Sequence, residues 1–239
     1  TWRNYERLAN PIYARVLWRS LLLAGGTTLL CFVVGFTLAY WVAMYGGRWR
    51  NLLIFLIIIP SWTSFLIRVY TWFFLLKDSG FVMQTLKAMH LVPQDTTLQL
   101  LFNWPSVLIV MVYSYLDFMV LPLYAALARL DRSTLEAASD LGAGPLRRLW
   151  LVTLPMVRGG ILAGSVLVFV PALGEFLIPE LLGGSKVNMI GNLIENRFLS
   201  SRNWPLGSAM AVGLGAIVLT LIWIYLRRGG KEGAFERLT

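Results

Sequence analysis

The chain alternates between long apolar runs and short polar segments, and this pattern predicts its membrane-spanning elements. Each apolar run is long enough to cross a bilayer core as an α-helix, at a rise of about 1.5 Å per residue. The runs predict five spans, at about residues 20–45, 52–76, 101–128, 159–182 and 206–227. The sequence therefore predicts an all-α integral membrane protein with a single transmembrane domain over residues 1–239.

Composition supports this prediction and gives the net charge its meaning. Hydrophobic residues make up 57% of the chain and charged residues only 14%, while the formal net charge is +9. The Lys and Arg residues border the apolar runs, where anionic lipid headgroups attract them. The predicted partners are membrane lipids, and no nucleic acid is expected. The bases are denser on the side that carries residues 129–158, so this segment is predicted to be cytoplasmic.

Small residues recur every four positions in two spans and predict faces on which another helix packs closely. One stripe contains Cys31, Gly35, Ala39 and Ala43. The other contains Gly207, Ala211 and Gly215. Prolines inside three spans predict kinks, at Pro60, Pro122 and Pro171.

Residues 136–155, EAASDLGAGPLRRLWLVTLP, begin in a short predicted helix that ends at a glycine. Ser133 followed by Glu136 fits a capping box, which predicts that the helix covers residues 134–141. Gly142 then stands where a helix-ending residue with positive φ is expected. We expect the chain to change direction at this glycine.

A second short helix is predicted to begin at Pro145 and to end at Pro155. Four residues at helical spacing form its predicted apolar face: Leu146, Leu149, Trp150 and Thr153. Helices of this length need a surface on which to pack. A protein partner would provide one, and so would lipid headgroups, which suit Arg147 and Arg148.

The residue order of this segment resembles the EAA motif of the permease subunits of bacterial ABC importers. That motif reads EAA, three residues, G, nine residues, I, one residue, LP. The matching positions are Glu136, Ala137, Ala138, Gly142, Val152, Leu154 and Pro155. Only Val152 departs from the motif, in which isoleucine is usual. The resemblance implies that residues about 131–157 form a cytoplasmic loop that couples the chain to a separate ATPase subunit.

Further stretches resemble the spermidine and putrescine permeases of that family: NYERLANPIYARVLWRSL, PSWTSFLIRVYTW, FMVLPLY, IPELLGG and MIGNLI. The likeness implies the type I permease fold, with one more helix upstream of Thr1 and six spans in total. It also implies a polyamine substrate and a location in the bacterial inner membrane. The implied partners are a second homologous permease, two cytoplasmic ATPase subunits and a periplasmic or extracellular solute-binding protein.

Charges inside predicted spans cost about 3 kcal/mol or more, so they mark candidate residues of a substrate path. Glu175 and Asp117 are acids that would bind ammonium groups, and Asp117 stands where the polyamine permeases usually have proline. Trp62 and Tyr113 would add cation–π contacts. Arg68 has the wrong sign for a cation, and the alternative is that it pairs with Glu175 and joins two helices.

No motif in the sequence indicates catalysis, a cofactor or a metal site. GGSK at residues 183–186 lacks the spacing of a Walker A motif, so ATP hydrolysis is expected on a separate subunit. His90 is the only histidine and Cys31 the only cysteine, which excludes a His-rich zinc site. The alternative function is an ion-coupled secondary transporter or channel subunit with Glu175 and Asp117 as its ion site. A membrane scaffold that transports nothing is a third.

Overall fold

The computed structural model describes residues 10–93 and 98–234, and these ranges contain helices and loops but no strand. The α-helices are α1 (Pro11–Tyr45), α2 (Arg50–Ile58), α3 (Phe65–Leu76), α4 (Phe81–Ala88), α5 (Trp104–Leu127), α6 (Arg132–Asp140), α7 (Pro145–Arg148), α8 (Leu154–Met156), α9 (Arg158–Leu173), α10 (Ile190–Phe198) and α11 (Trp204–Ala234). Two π-helical turns cover Leu149–Thr153 and Pro179–Gly183. The first residues of the stretch NYERLANPIYARVLWRSL lie outside the described residues.

Asparagine caps start α1 and α5, which both contribute many residues to the core. The Asn10 side chain accepts the backbone N–H of Ile12 at 3.0 Å ahead of α1. Asn103 accepts the N–H of Ser106 at 2.9 Å ahead of α5. A proline follows at the first or second position of each helix, where its missing N–H leaves no hydrogen bond unmade.

Helix α5 lies at the centre of the bundle and packs against α1 and α9, which also pack against each other. The predicted stripe on α1 is confirmed, because Cys31, Gly35, Ala39 and Ala43 are all buried. A Cβ atom on Gly35 would lie 3.1 Å from Met119 of α5. The small residues therefore let two helix backbones approach closely.

The second stripe packs within the chain at one position only. Gly207 of α11 lies against the ring of Phe198 in α10, where an added Cβ would be 3.1 Å from the nearest ring carbon. Ala211 and Gly215 are exposed on the surface of the chain. Their packing against another subunit stays a prediction.

Within the described residues, three helices are long and apolar enough to cross a membrane: Pro11–Tyr45, Trp104–Leu127 and Trp204–Tyr225. Two bent pairs raise the number to as many as five if each pair is one span. Gly47–Trp62 joins Phe65–Ala88 at 89°, next to Pro60, and Pro145–Met156 joins Arg158–Leu173 at 72°. The boundaries of the five predicted spans thus remain predictions, and the described chain provides helices for each of them.

The predicted span at residues 159–182 is not one continuous helix. α9 ends at Leu173, the backbone breaks at Gly174, and helical structure resumes before the π turn Pro179–Gly183. Pro171 lies near the end of α9, whereas Pro122 lies inside an uninterrupted α5. The break leaves backbone N–H groups that need acceptors inside the membrane.

Candidate functional site

The loop that links α5 to α9 contains the EAA-like residues, and its first helix starts earlier than the sequence predicted. α6 begins at Arg132, and its cap is Asp131, whose carboxylate accepts the N–H of Ser133 at 3.0 Å. The prediction that Ser133 is the cap is wrong, because an acidic residue two positions earlier provides a charged acceptor that the helix dipole favours. Glu136 consequently lies inside the helix.

The pKa of the capping residue Asp131 links the stability of this loop to pH. The hydrogen bond from the Ser133 backbone lowers the pKa of Asp131 below its usual range. A carboxylate with a lowered pKa stabilises the folded state above its unfolded pKa and loses that effect as the pH falls through the folded pKa. The cap is therefore fully formed at neutral pH.

Gly142 ends α6 in the left-handed conformation that the sequence predicted, with φ of +81°. The N–H of Ala143 donates to the carbonyl of Ala138 at 3.0 Å, and the N–H of Gly142 donates to Ser139 at 2.9 Å. These bonds are those of a Schellman turn, which satisfies carbonyls at the helix end. The glycine joint is confirmed, and it turns the chain toward α7.

The second helical unit begins at Pro145 as predicted but does not end at Pro155. It runs through α7, the π turn Leu149–Thr153 and α8, and ends at Met156. Pro155 takes the first or second position of α8, where its missing N–H is tolerated after the wider π turn. The helical unit then bends by 72° into α9.

This loop presents an apolar surface, which we call the coupling surface. It consists of Leu141, Leu146, Trp150 and Leu151. Leu141 is 89% exposed and Trp150 is 67% exposed, so the chain itself covers little of this surface. Several large exposed apolar side chains on one short loop indicate an interaction site.

The opposite side of the loop is anchored to the helix bundle. Thr153 was predicted to share a face with Leu146 and Trp150, but it is buried, because the π turn changes the helical register. Val157 is buried as well, and Arg148 donates a hydrogen bond to the Ser139 hydroxyl that ties the two halves of the loop together.

The remaining EAA-like residues lie on both sides of the loop. Glu136, Ala137 and Pro155 are exposed. Ala138, Val152 and Leu154 are half-buried. The motif thus combines exposed residues with half-buried residues that pack toward the bundle.

Glu175 lies at the break after α9 and is only 6% exposed. Its Oε1 atom accepts the backbone N–H groups of Phe176, Leu177 and Ile178 at 3.0, 2.9 and 3.3 Å. Its Oε2 atom accepts the hydroxyl of Tyr115 in α5. The Glu175 carboxylate thus caps the broken helix in this chain. Its role in the substrate path stays a prediction.

Among the described residues, which include both partners, no ion pair joins Glu175 to Arg68 as the sequence had suggested. The Arg68 guanidinium lies over the ring of Phe65, 5.7 Å from its centroid, and its buried Nε atom has no hydrogen-bond partner. The pairing prediction failed because three backbone donors and a phenol already occupy the Glu175 carboxylate.

Asp117 retains acceptor capacity. Its Oδ2 atom accepts the hydroxyl of Ser61, while its Oδ1 atom is buried without a hydrogen-bond partner. Ser114, one helical turn earlier on α5, also has a buried hydroxyl oxygen without a partner. Buried polar atoms without partners are costly, so this region of α5 favours a polar occupant.

The two aromatic candidates contact different neighbours. Trp62 is 74% exposed and packs edge-on against Phe55, with ring centroids 5.6 Å apart. Tyr113 packs against Trp72, with centroids 5.3 Å apart. Among the candidates, Trp62 lies next in sequence to Ser61, the residue that bonds Asp117.

Sequence reasoning missed the residues that hold the broken helix in place. Asn192 of α10 is buried and donates to the Phe176 carbonyl at 2.7 Å. A Cβ atom on Gly191 would lie 2.5 Å from the carbonyl oxygen of Gly174. Ser20 accepts the N–H of Ile190 at 2.8 Å. The signal was present in MIGNLI, where a polar amide and a glycine interrupt an apolar stretch.

Comparison with known proteins assigns this arrangement to a family. Residues 32–228 match the family described as the inner membrane component of binding-protein-dependent transport systems. The spermidine/putrescine transport system permease protein PotB of Haemophilus influenzae is 42% identical over 227 residues, which cover 95% of this chain and 79% of that protein. PotB of Escherichia coli is 39% identical, with 95% of this chain and 82% of that protein covered. The inner membrane ABC transporter permease protein YdcU of Escherichia coli is 31% identical, with 100% and 78% covered.

Solved structures share the fold at lower identity. A bacterial ABC transporter involved in the import of the acidic polysaccharide alginate matches with a TM-score of 0.74 at 18% identity, covering 96% of this chain and 83% of that chain. The MetNI methionine ABC transporter matches with a TM-score of 0.60 at 12% identity, covering 93% and 96%. These likenesses establish the fold of an ABC importer permease.

Proposed function

Because this chain belongs to the family of inner membrane components of binding-protein-dependent transport systems, we propose that it is the permease subunit of an ATP-driven polyamine importer. The protein is a transport component of the inner membrane. The polyamine assignment is supported by PotB relatives that are 39–42% identical over 95% of the chain. Family membership overturns the alternative hypothesis of an ion-coupled secondary transporter or channel subunit, and that of a scaffold that transports nothing.

The observation that carries the proposal is the coupling surface. Leu141, Leu146, Trp150 and Leu151 project from a loop in which the residue order matches a motif of ABC importer permeases. The net gain from burying an apolar side chain is about 1.5–3 kcal/mol, so four such residues suit a docking partner. The partner that we propose is a cytoplasmic ATPase subunit, one of two in the complete importer.

Movement of the docked ATPase would reach the membrane through the anchored side of the loop. Thr153 and Val157 are buried against the bundle, and α9 follows directly. α9 is in close contact with α5, since a Cβ atom on Gly160 would lie 2.7 Å from the carbonyl oxygen of Pro122. A rigid displacement of the loop therefore moves α9 against the central helix.

For the substrate path, Asp117 is the stronger of the two proposed acids. Its Oδ1 atom and the Ser114 hydroxyl are buried without hydrogen-bond partners, so they would provide acceptors for an ammonium group that reaches them during transport. Trp62, next to Ser61, offers an exposed aromatic face for cation–π attraction. Tyr113 and Arg68 would line the same pathway at α5 and α3, and Glu175 would hold its backbone in shape.

A second homologous permease would complete the pathway, and an external solute-binding protein would deliver the cargo. The test is to coexpress the chain with its neighbouring permease, ATPase and binding-protein genes and to reconstitute the purified complex in liposomes. We expect uptake of radiolabelled spermidine or putrescine that requires both ATP and the binding protein. Purification without an ATPase, or polyamine flux that does not need ATP, would contradict the proposal.

A further inference from the structure

The π turn Pro179–Gly183 presents a carboxylate that the path described above does not use. Glu180 is exposed on the chain although it lies in the apolar run at residues 159–182. The Ser106 hydroxyl, at the outer start of α5, donates to the Leu182 carbonyl at 3.4 Å. Tyr115, which bonds Glu175, lies nine residues or about 14 Å further along α5. Glu180 therefore lies between the outer end of the bundle and the level of Glu175.

Asn192 fixes the position of this carboxylate. Its Nδ2 atom donates to Glu180 Oε2 at 3.1 Å and to the Phe176 carbonyl at 2.7 Å. Its Oδ1 atom accepts the N–H of Met189 at 3.2 Å. Asn192 is buried and makes all three of these hydrogen bonds, so it fixes the Glu180 carboxylate in place while the acid stays exposed on the surface of the bundle.

An aromatic ring shares the face of the carboxylate. The N–H of Glu180 donates to the carbonyl of Phe176 at 3.0 Å, so the two residues are one helical turn apart. Phe176 is 45% exposed. A charged side chain that faced lipid at this depth would cost several kcal/mol, so this face meets water or a cation in the assembled protein.

We propose that Glu180 binds an ammonium group of the cargo at the outer part of the pathway, with Phe176 contacting the neighbouring methylene chain. Asn192 is the positioning residue, since it orients the carboxylate without touching the cargo. This inference rests on the proposed polyamine import. It adds an outer binding point above Asp117, at which a cation enters the membrane part of the protein.

The first test compares uptake kinetics in liposomes that contain the complete importer. Glu180→Gln keeps the shape and the acceptor for Asn192 but removes the charge, and we expect the KM for spermidine to rise at least tenfold. Asp78→Asn, which neutralises an exposed acid outside the spans, is the matched control with an unchanged KM. A wild-type complex that takes up neither spermidine nor putrescine would overturn both proposals. Wild-type uptake together with a KM for Glu180→Gln within twofold of wild type would overturn this inference alone.

The second test does not depend on transport by the variant. Cys31 is the only cysteine and is 0% exposed, so the wild-type chain provides an unreactive background. In the assembled complex, Glu180→Cys should react rapidly with a membrane-impermeant, cationic methanethiosulfonate, and spermidine should slow this reaction at least fivefold. An unreactive thiol would show that lipid or another subunit covers the site, and a reactive thiol that spermidine does not protect would equally overturn the inference.

The role of Asn192 is separated from a purely structural one by a double-mutant cycle. Asn192→Ala should raise the KM for spermidine on the wild-type background and have little further effect on the Glu180→Gln background. Equal effects on both backgrounds would assign Asn192 to stability alone.

Discussion

At the scale of single residues, Gly142 and Gly144 have different backbone conformations but similar free space around them. Both have open space where a Cβ atom would lie, but Gly142 has φ of +81° and Gly144 has φ of −63°. A side chain at position 142 is therefore opposed by backbone strain and not by steric contact with neighbours. This pair isolates the contribution of the left-handed turn to coupling.

We predict that Gly142→Val uncouples ATP hydrolysis from the loaded binding protein, whereas Gly144→Val does not. The strain of about 1–2 kcal/mol in the left-handed region corresponds to roughly a tenfold loss of the correctly oriented coupling surface. Gly142→Ala should have a smaller effect. The measurement is binding-protein-stimulated ATPase activity in liposomes, and equal activity of the two valine variants would count against the assigned docking geometry.

Glu175 is predicted to stabilise the broken helix, so its variants should differ in stability before they differ in substrate affinity. Tyr115→Phe removes one hydrogen bond to the carboxylate and should lower the free energy of unfolding by about 1 kcal/mol. Glu175→Ala should cost more, because three backbone N–H groups lose their acceptor, while Glu175→Gln keeps an acceptor. Thermal unfolding of the purified complex checks this order. An unchanged melting temperature for Glu175→Ala, combined with a raised KM, would contradict this stabilising role and would indicate that Glu175 contacts the substrate.

At the scale of secondary-structure elements, the contact between α9 and α5 depends on how closely two backbones approach. A Cβ atom at Gly160 would lie 2.7 Å from the backbone carbonyl of Pro122, which cannot move independently. At Gly164 the nearest atom is the Met119 sulfur, also at 2.7 Å, which belongs to a flexible side chain. No atom lies within 4 Å of a Cβ atom at Gly159.

We therefore predict that alanine substitutions at these three glycines have graded effects. Gly160→Ala should destabilise the protein by about 1–3 kcal/mol through overpacking, and Gly164→Ala by less, because methionine adapts. Gly159→Ala, on the exposed side, should leave stability unchanged. Melting temperatures measured by fluorescence-detected size exclusion test the order, and a Gly160→Ala variant as stable as Gly159→Ala would disprove the close contact.

The elements themselves were largely predictable because their signals are local. The α1 stripe, the positive φ of Gly142 and the start of α7 at Pro145 all follow from residue type and spacing. The cap of α6 was misplaced, since Ser133 and Asp131 both fit a capping position and only the structure shows which accepts the hydrogen bond. The end at Pro155 was wrong because hydropathy carries no signal for a π turn.

The path residues were less predictable because their contacts join distant parts of the sequence. Nothing near Glu175 in sequence indicates Tyr115, 60 residues away. The same holds for Asn192 and Glu180, which come together only when α10 packs on the broken helix. The sequence identifies which residues are charged inside the spans. Only the structure shows which carboxylates accept backbone hydrogen bonds as helix caps.

At the scale of the whole molecule, the exposed part of the α11 stripe is the clearest surface for another subunit. Ala211 and Gly215 are exposed, and no atom lies within 4 Å of a Cβ atom at Gly215. Small residues on an exposed membrane helix allow a second helix to approach closely. We expect this face to contact the second permease.

Ala211→Leu should then weaken the association of the two permeases without unfolding this chain, because the larger side chain holds the helices apart. Val212→Leu, one position along and also exposed, is the matched control. Copurification of an affinity-tagged partner permease provides the measurement. Equal recovery of the partner with both variants would show that lipid covers this face.

The π turn Leu149–Thr153 affects whether the loop can lose a residue without reorienting the coupling surface. A π turn holds one residue more than the α-helical turn that it replaces, so it is equivalent to a single-residue insertion. Each residue of an α-helix rotates the chain by about 100°. Because the wider turn takes up this extra residue, deleting one residue within it should restore a regular α-helix while Leu146 and Val157 keep nearly the same relative orientation. A deletion inside the regular helix Arg158–Leu173 has no such turn to absorb it and rotates the residues on its two sides by that angle, so it should be far more damaging to uptake.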